Sequence, residues 1–128
     1  MNMSKSITNK KILIVDDDPY ILMSLDFLMK KNKFEVFVAR NGNEALEQIK
    51  TNQPDLILLD IMMPDVDGYE ICIKVKSDNK TKDIIIVFMS AKTRDTDIQK
   101  GLDLGAALYI TKPFSTRDLL EKVIGLLS

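Results

Sequence analysis

Short runs dense in isoleucine, valine, leucine and phenylalanine recur along the chain, at Lys11 to Val15, Phe34 to Ala39, Asp55 to Leu59, Asp83 to Met89 and Ala107 to Ile110. Each has the look of a buried strand. Between the runs, apolar positions follow helical spacing: Ile21, Leu22, Leu25, Leu28 and Met29; Ala45, Leu46 and Ile49; and a weaker face of Tyr69, Ile73 and Lys76. Ile98 and Leu102 follow, then Leu119, Leu120, Val123, Ile124 and Leu127. Asp18 before Pro19 predicts an N-cap with proline at the first helical position, while Asn41-Gly42 and Gly105 mark places where the chain turns. Strand and helix patterns alternate five times. That alternation predicts a mainly parallel sheet in a doubly wound α/β fold, because right-handed crossovers put helices on both faces once the winding direction reverses.

Composition narrows the picture. At 128 residues the chain has the size of one domain. No segment approaches the roughly 20 unbroken apolar residues of a membrane span. Residues 1–10 are polar, with neither an apolar core nor a cleavage pattern, so they are expected to form a disordered lead rather than a signal peptide, with residues 11–128 as the domain and a cytoplasmic location. A net charge of −1 without a Lys/Arg cluster argues against direct nucleic acid binding. Cys72 is the single cysteine, which excludes an internal disulfide, and its neighbours Ile71 and Ile73 favour packing over reactivity. No repeat, low-complexity tract or linker interrupts the chain, and the last helical pattern runs to the final residue, so no attached output domain is expected.

In doubly wound sheets, ligands bind outside the carboxyl ends of the strands, near the point where strand order reverses. Just after the predicted strands stand Asp16, Asp17 and Asp18, then Asp60, then Ser90, then Lys112. Taken singly, each has a plainer reading as a solvated loop residue, a cap or a turn residue. Independent loop residues have no reason to fall in this order. Crowded carboxylates repel, and a cation relieves them. With no histidine and one cysteine, the ligands are oxygens and the ion a hard one such as Mg²⁺, with Mn²⁺ as a substitute. A cation beside a carboxylate, with a lysine opposite, suits transfer of a phosphoryl group onto that carboxylate, making Asp60 the candidate nucleophile.

From Lys11 onward the chain resembles the receiver domains of bacterial two-component response regulators, of the chemotaxis-regulator type. The likeness rests on Ile14-Val15-Asp16-Asp17-Asp18-Pro19, Asp55 to Pro64 ending in Leu59-Asp60-Ile61-Met62-Met63-Pro64, Asp67-Gly68, Ser90-Ala91, Gly105-Ala106 and Tyr109-Ile110-Thr111-Lys112-Pro113-Phe114. The resemblance implies a flavodoxin-like sheet of five parallel strands in the order 2-1-3-4-5, with five helices on two faces. By the same resemblance Asp60 accepts a phosphoryl group from a sensor histidine kinase or phosphotransfer protein, and the chain catalyses only its own phosphorylation and dephosphorylation. The resemblance further implies that Asp17 and Asp60 touch Mg²⁺ directly, that Asp16 acts mainly through water, and that the Met62 carbonyl supplies a further ligand. By the resemblance Ser90 and Lys112 are expected to hold phosphoryl oxygens and the Lys112-Pro113 bond to be cis. Tyr109 is the switch candidate that the resemblance implies, expected to turn inward as Ser90 moves and to alter the face of the fourth helix, fifth strand and fifth helix, where an output partner or a phosphorylation-linked dimer is expected. Two features depart from the usual pattern or vary within it: Ala107 and Leu108 replace frequent acidic residues, and Met62 and Lys92 occupy variable positions that flank the path of attacking water.

Two other functions compete with this one. A receiver-like module working by binding alone is opposed by the complete set of acids, hydroxyl and lysine. A phosphatase with an aspartyl intermediate, or a flavodoxin-like cofactor carrier, is opposed by the lack of a glycine-rich phosphate loop. Asp65-Val66-Asp67 superficially resembles the paired acids of haloacid-dehalogenase-type phosphatases, but follows no strand directly and continues as Gly68-Tyr69.

Overall fold

A computed structural model of the chain describes residues 9–128. Its elements are β1 (Lys11–Val15), α1 (Pro19–Lys31), β2 (Glu35–Ala39), α2 (Gly42–Asn52), β3 (Leu56–Asp60), α3 (Gly68–Ser77), β4 (Ile85–Ser90), α4 (Asp95–Asp103), β5 (Leu108–Thr111) and α5 (Thr116–Leu127). The five strands form one parallel sheet in the order β2-β1-β3-β4-β5, as the resemblance implies. Of the expected lead, residues 1–8 lie outside the described residues. Asn9 and Lys10 are tied to the sheet edge, Asn9 donating to the Lys33 carbonyl and Lys10 accepting from the Glu35 amide.

Successive side chains of a strand point to opposite faces, so each central strand feeds two cores. Leu13, Val15, Ile57, Leu59, Ile86 and Phe88 face α2 and α3, while Ile12, Ile14, Leu56, Leu58, Val87 and Met89 face α1 and α5. This explains why β1 is apolar from Ile12 to Val15, β3 from Leu56 to Leu59 and β4 from Ile85 to Met89. The edge strand β2 is not fully covered, and Val38 is exposed.

Several boundaries differ from the sequence expectation. Phe34 precedes β2 and packs into the α1 core, Asp83 precedes β4, and Ala107 precedes β5. The predicted inner face of α3 is also corrected. Ile73 is exposed, and Gly68, Ile71, Cys72 and Val75 turn inward with Tyr69. On α4, Leu102 is exposed and Asp97 and Gly101 are buried. Phe88 and Tyr109 explain the second correction: their rings fill the space beneath α4, so that a Cβ on Gly101 would stand 2.9 Å from Phe88 and 3.0 Å from Tyr109. Cys72 is buried as expected, and burial pushes its thiol pKa up.

Capping follows local rules. Asp18 caps α1 by accepting from the Tyr20 amide, with Pro19 opening the helix. Asn41 caps α2, so Asn41-Gly42 opens that helix, and Gly105 takes the positive φ of +110° after α4.

Candidate functional site

β1 and β3 are neighbours whose following helices cover opposite faces, which opens a crevice at their carboxyl ends. Asp16 continues the β1 ladder, its amide donating to the Ala39 carbonyl, and its side chain is fully buried. Asp60 is the last residue of β3 rather than the residue after it, opposite Met89, and only 4% exposed. Ser90 likewise ends β4, fully buried. Lys112 follows β5, positioned by its backbone amide, which donates a hydrogen bond to the Ser90 carbonyl, and the Lys112-Pro113 peptide is cis as expected.

One carboxylate oxygen from each of Asp16, Asp17 and Asp60 falls within 4.8 Å of the other two. Asp18, the third acid of the run, is occupied as the α1 cap. The Lys112 ammonium sits 2.8 Å from Asp16 and 3.7 Å from Asp60, so its shorter bond is to the buried acid of β1. Asp16 spends its other oxygen on the Asp18 amide at 2.9 Å. Burial, reinforced by the charge of Asp16 and only partly offset by Lys112, pushes the Asp60 pKa up to about 6. Burial lowers the Lys112 pKa, but the Asp16 hydrogen bond and the surrounding acids outweigh it and raise the pKa overall.

A buried carboxylate with a raised pKa, two acids beside it and one lysine form a set whose negative charge exceeds its compensation. Oxygen donors at this spacing have the chemistry to hold a hard divalent cation, which takes one or two carboxylates and keeps waters. The expected fourth ligand, the Met62 carbonyl, lies on the loop leaving Asp60, and the Met62 side chain is exposed. Two clefts flank the rim: one of about 560 Å³ bordered by Asp17, Met62, Tyr69, Lys92 and Lys100, the other of about 540 Å³ bordered by Tyr20, Ile21, Lys112, Pro113 and Phe114.

Tyr109 does not meet the acids. Its hydroxyl donates to the Lys92 carbonyl at 2.8 Å and its ring leans on Phe88, 6.0 Å between centroids. The Ser90 hydroxyl oxygen accepts from the Lys92 amide at 3.1 Å, so Tyr109 and Ser90 grip the same residue of the β4–α4 loop. Tyr69 was legible only as part of a helical face. Its buried hydroxyl donates to the Asp97 carbonyl at 3.0 Å, and its ring meets Phe88 edge-on. Asp65 was also missed: its two oxygens accept from the Gly42 and Asn43 amides, contacts that span 22 and 23 residues and leave no local pattern.

A family model described as the response regulator receiver domain matches residues 12–124. Solved structures agree across nearly the whole length. A receiver domain protein from Methanospirillum hungatei is 33% identical, with a TM-score of 0.87 over 94% of each chain. The BeF3-activated N-terminal receiver domain of Klebsiella pneumoniae RstA is 31% identical, with a TM-score of 0.83 over 92% of this chain and 98% of that one. A chemotaxis response regulator of Vibrio cholerae is 28% identical, with a TM-score of 0.86 over 94% of this chain and all of that one.

Proposed function

Because this chain belongs to the response regulator receiver domain family, we propose that Asp60 accepts a phosphoryl group from a phosphohistidine of a sensor histidine kinase or phosphotransfer protein. A carboxylate oxygen of Asp60 attacks phosphorus, the P–N bond to the imidazole breaks, and an acyl phosphate results. The observation that carries this reading is the convergence of Asp16, Asp17, Asp60 and Lys112 on one rim. A Mg²⁺ ion held by Asp16, Asp17, Asp60 and the Met62 carbonyl, or Mn²⁺ in its place, would neutralise the charge gathered there during transfer.

The chain's own residues do the rest. Lys112, tethered by Asp16, lies within reach of a group arriving on Asp60 and supplies a point charge for a phosphoryl oxygen. The Ser90 hydroxyl, whose oxygen already accepts a backbone amide, keeps its proton to donate to another. Movement of Ser90 toward the phosphate pulls on the Lys92 backbone, which Tyr109 also holds, and so reaches the face of α4, β5 and α5 where an output partner or a second phosphorylated copy docks. Among the described residues no helix is long and apolar enough to cross a membrane.

The test is incubation with acetyl phosphate and Mg²⁺, read by intact mass. Wild type gains one phosphoryl group, while Asp60→Asn and wild type with chelator gain none. Labelling of Asp60→Asn, or none of wild type, overturns the reading. Phosphoryl lifetime provides a second readout: Met62→Asn, which replaces a bulky side chain beside the path of water, shortens it, and an unchanged lifetime removes Met62 from that role.

A pH titration reports on the same cluster. The folded pKa of Asp60 lies above its ordinary 3.8, so between pH 3.8 and about 6 the folded protein holds a proton that the unfolded chain has released. Metal-free stability therefore falls as pH rises through that window. Asp60→Asn flattens this slope and is more stable than wild type at neutral pH without Mg²⁺; a slope unchanged by the substitution assigns it to another group.

A further inference from the structure

The loop leaving Asp60, residues 61–67, is held at two places that no local rule requires. At its far end Gly68 lies flat on the phosphoacceptor strand: its amide donates to the Ile61 carbonyl at 2.9 Å, and a Cβ there would stand 2.4 Å from the Asp60 carbonyl oxygen. At its middle the Asp65 carboxylate straddles the start of α2, one oxygen 2.9 Å from the Gly42 amide and the other 2.8 Å from the Asn43 amide. The backbone of Val66 follows directly onto Gly42, where a Cβ would stand 2.6 Å from Val66.

This is more than a helix cap. α2 already carries its own cap, in which Asn41 accepts from the Glu44 amide at 2.9 Å, and the Glu44 side chain reaches back to accept from the Arg40 amide at 3.0 Å. The Gly42 and Asn43 amides, which that cap leaves open, are taken by a side chain from the loop that follows β3. Those two amides also hold the Asp65 carboxyl below its ordinary pKa, so the clamp carries its negative charge at the positive end of the helix. β1 supplies two acids of the rim and β3 the third together with the loop bearing Met62, so the register between the two halves depends on what anchors that loop.

We propose that Asp65 is a positioning residue for the cation site, its carboxylate clamping the Met62 loop to α2 so that the β3 side of the rim keeps its place against Asp16 and Asp17. The proposal rests on the phosphoacceptor reading above and adds a residue to it. Outer residues that hold metal ligands commonly change affinity by roughly 10- to 100-fold when removed. An amide at this position offers one acceptor where the carboxylate offers two, so Asp65→Asn is the graded variant and Asp65→Ala the full loss.

Calorimetric titration with Mg²⁺ alone, beside thermal unfolding of the metal-free proteins, tests this. Asp65→Ala weakens Mg²⁺ binding by roughly tenfold, at the lower end of the range for such residues, and Asp65→Asn by less. Asn41→Ala, which removes the local cap of the same helix, lowers the unfolding temperature but leaves Mg²⁺ affinity where it was. If Asp65→Ala does not fold, Asp65→Asn decides. Equal Mg²⁺ affinity in wild type and the Asp65 variants, or an equal loss in Asn41→Ala, overturns the clamp and leaves the phosphoacceptor reading standing. Absence of Mg²⁺ binding in wild type overturns both.

Discussion

Helices α1 and α4 cover opposite faces of one sheet and are held there by different means. α1 drives Leu22, Leu25 and Met29 into the core against Ile12, Ile14 and Leu58. α4 buries only Asp97 and Gly101, and rests on the rings of Phe88 and Tyr109, on the Tyr69 hydroxyl and on the Lys100 ammonium 4.4 Å above the Tyr69 ring. A buried aliphatic side chain is worth roughly 1.5–3 kcal/mol, whereas one hydrogen bond or an exposed cation–π contact is worth about 1 kcal/mol and only at the right geometry. The helix that carries the acids of β1 into place is therefore anchored firmly, and the helix that follows Ser90 is anchored lightly. That division suits the switch proposed above, in which the moving part is the one with least apolar surface to lose.

Four substitutions sharpen or break the comparison. Leu25→Ala removes an α1 anchor with no exposure at all and is expected to cost about 2–5 kcal/mol in urea denaturation. A loss under 1 kcal/mol would show that α1 is not held as described. Gly101→Ala places a methyl 2.9 Å from Phe88 and is expected to cost about 1–3 kcal/mol, with shifted NMR signals from the Tyr109 ring and the α4 amides. Silence at both would mean α4 is not seated on those rings. Tyr69→Phe deletes the buried bond to the Asp97 carbonyl, expected to cost about 0.5–1.5 kcal/mol. Its signature is faster hydrogen exchange in the first turn of α4 with no change in α1; uniform acceleration across the molecule would contradict a local anchor. Leu102→Ala, on the outer face of α4, should fall within about 0.5 kcal/mol of wild type, and a larger loss would return Leu102 to the inner face where helical spacing had put it.

The misassigned faces of α3 and α4 have different causes. The faces of α1 and α5 were legible because they pack on flat aliphatic sheet, where apolar periodicity and burial coincide. On α3 the buried residues Gly68, Ile71, Cys72 and Val75 also keep helical spacing, so that face was legible and was misassigned, whereas on α4 the partner surface is shaped by Phe88, Tyr69 and Tyr109, large rings that leave room for a glycine and reward a backbone carbonyl. Periodicity cannot anticipate that, since it scores residues by hydrophobicity and not by the volume left over. The rim residues Asp16, Asp60, Ser90 and Lys112 were legible because each lies at or beside a strand end, a position set by local pattern alone. Asp65 was not, because what it does depends on an element more than twenty residues earlier in the chain.

Sequence alone determined the alternation of strands and helices, the doubly wound class and the chemical types gathered at the strand ends. These follow from spacing, which is a local property of the chain. Only the tertiary structure decided that Lys112 reaches Asp16 at 2.8 Å while standing 3.7 Å from Asp60, and that Asp65 ties the Met62 loop to α2. The Lys112 contact joins residues 96 apart, and its length is set by how whole strands and helices dock, through packing that no single segment contains.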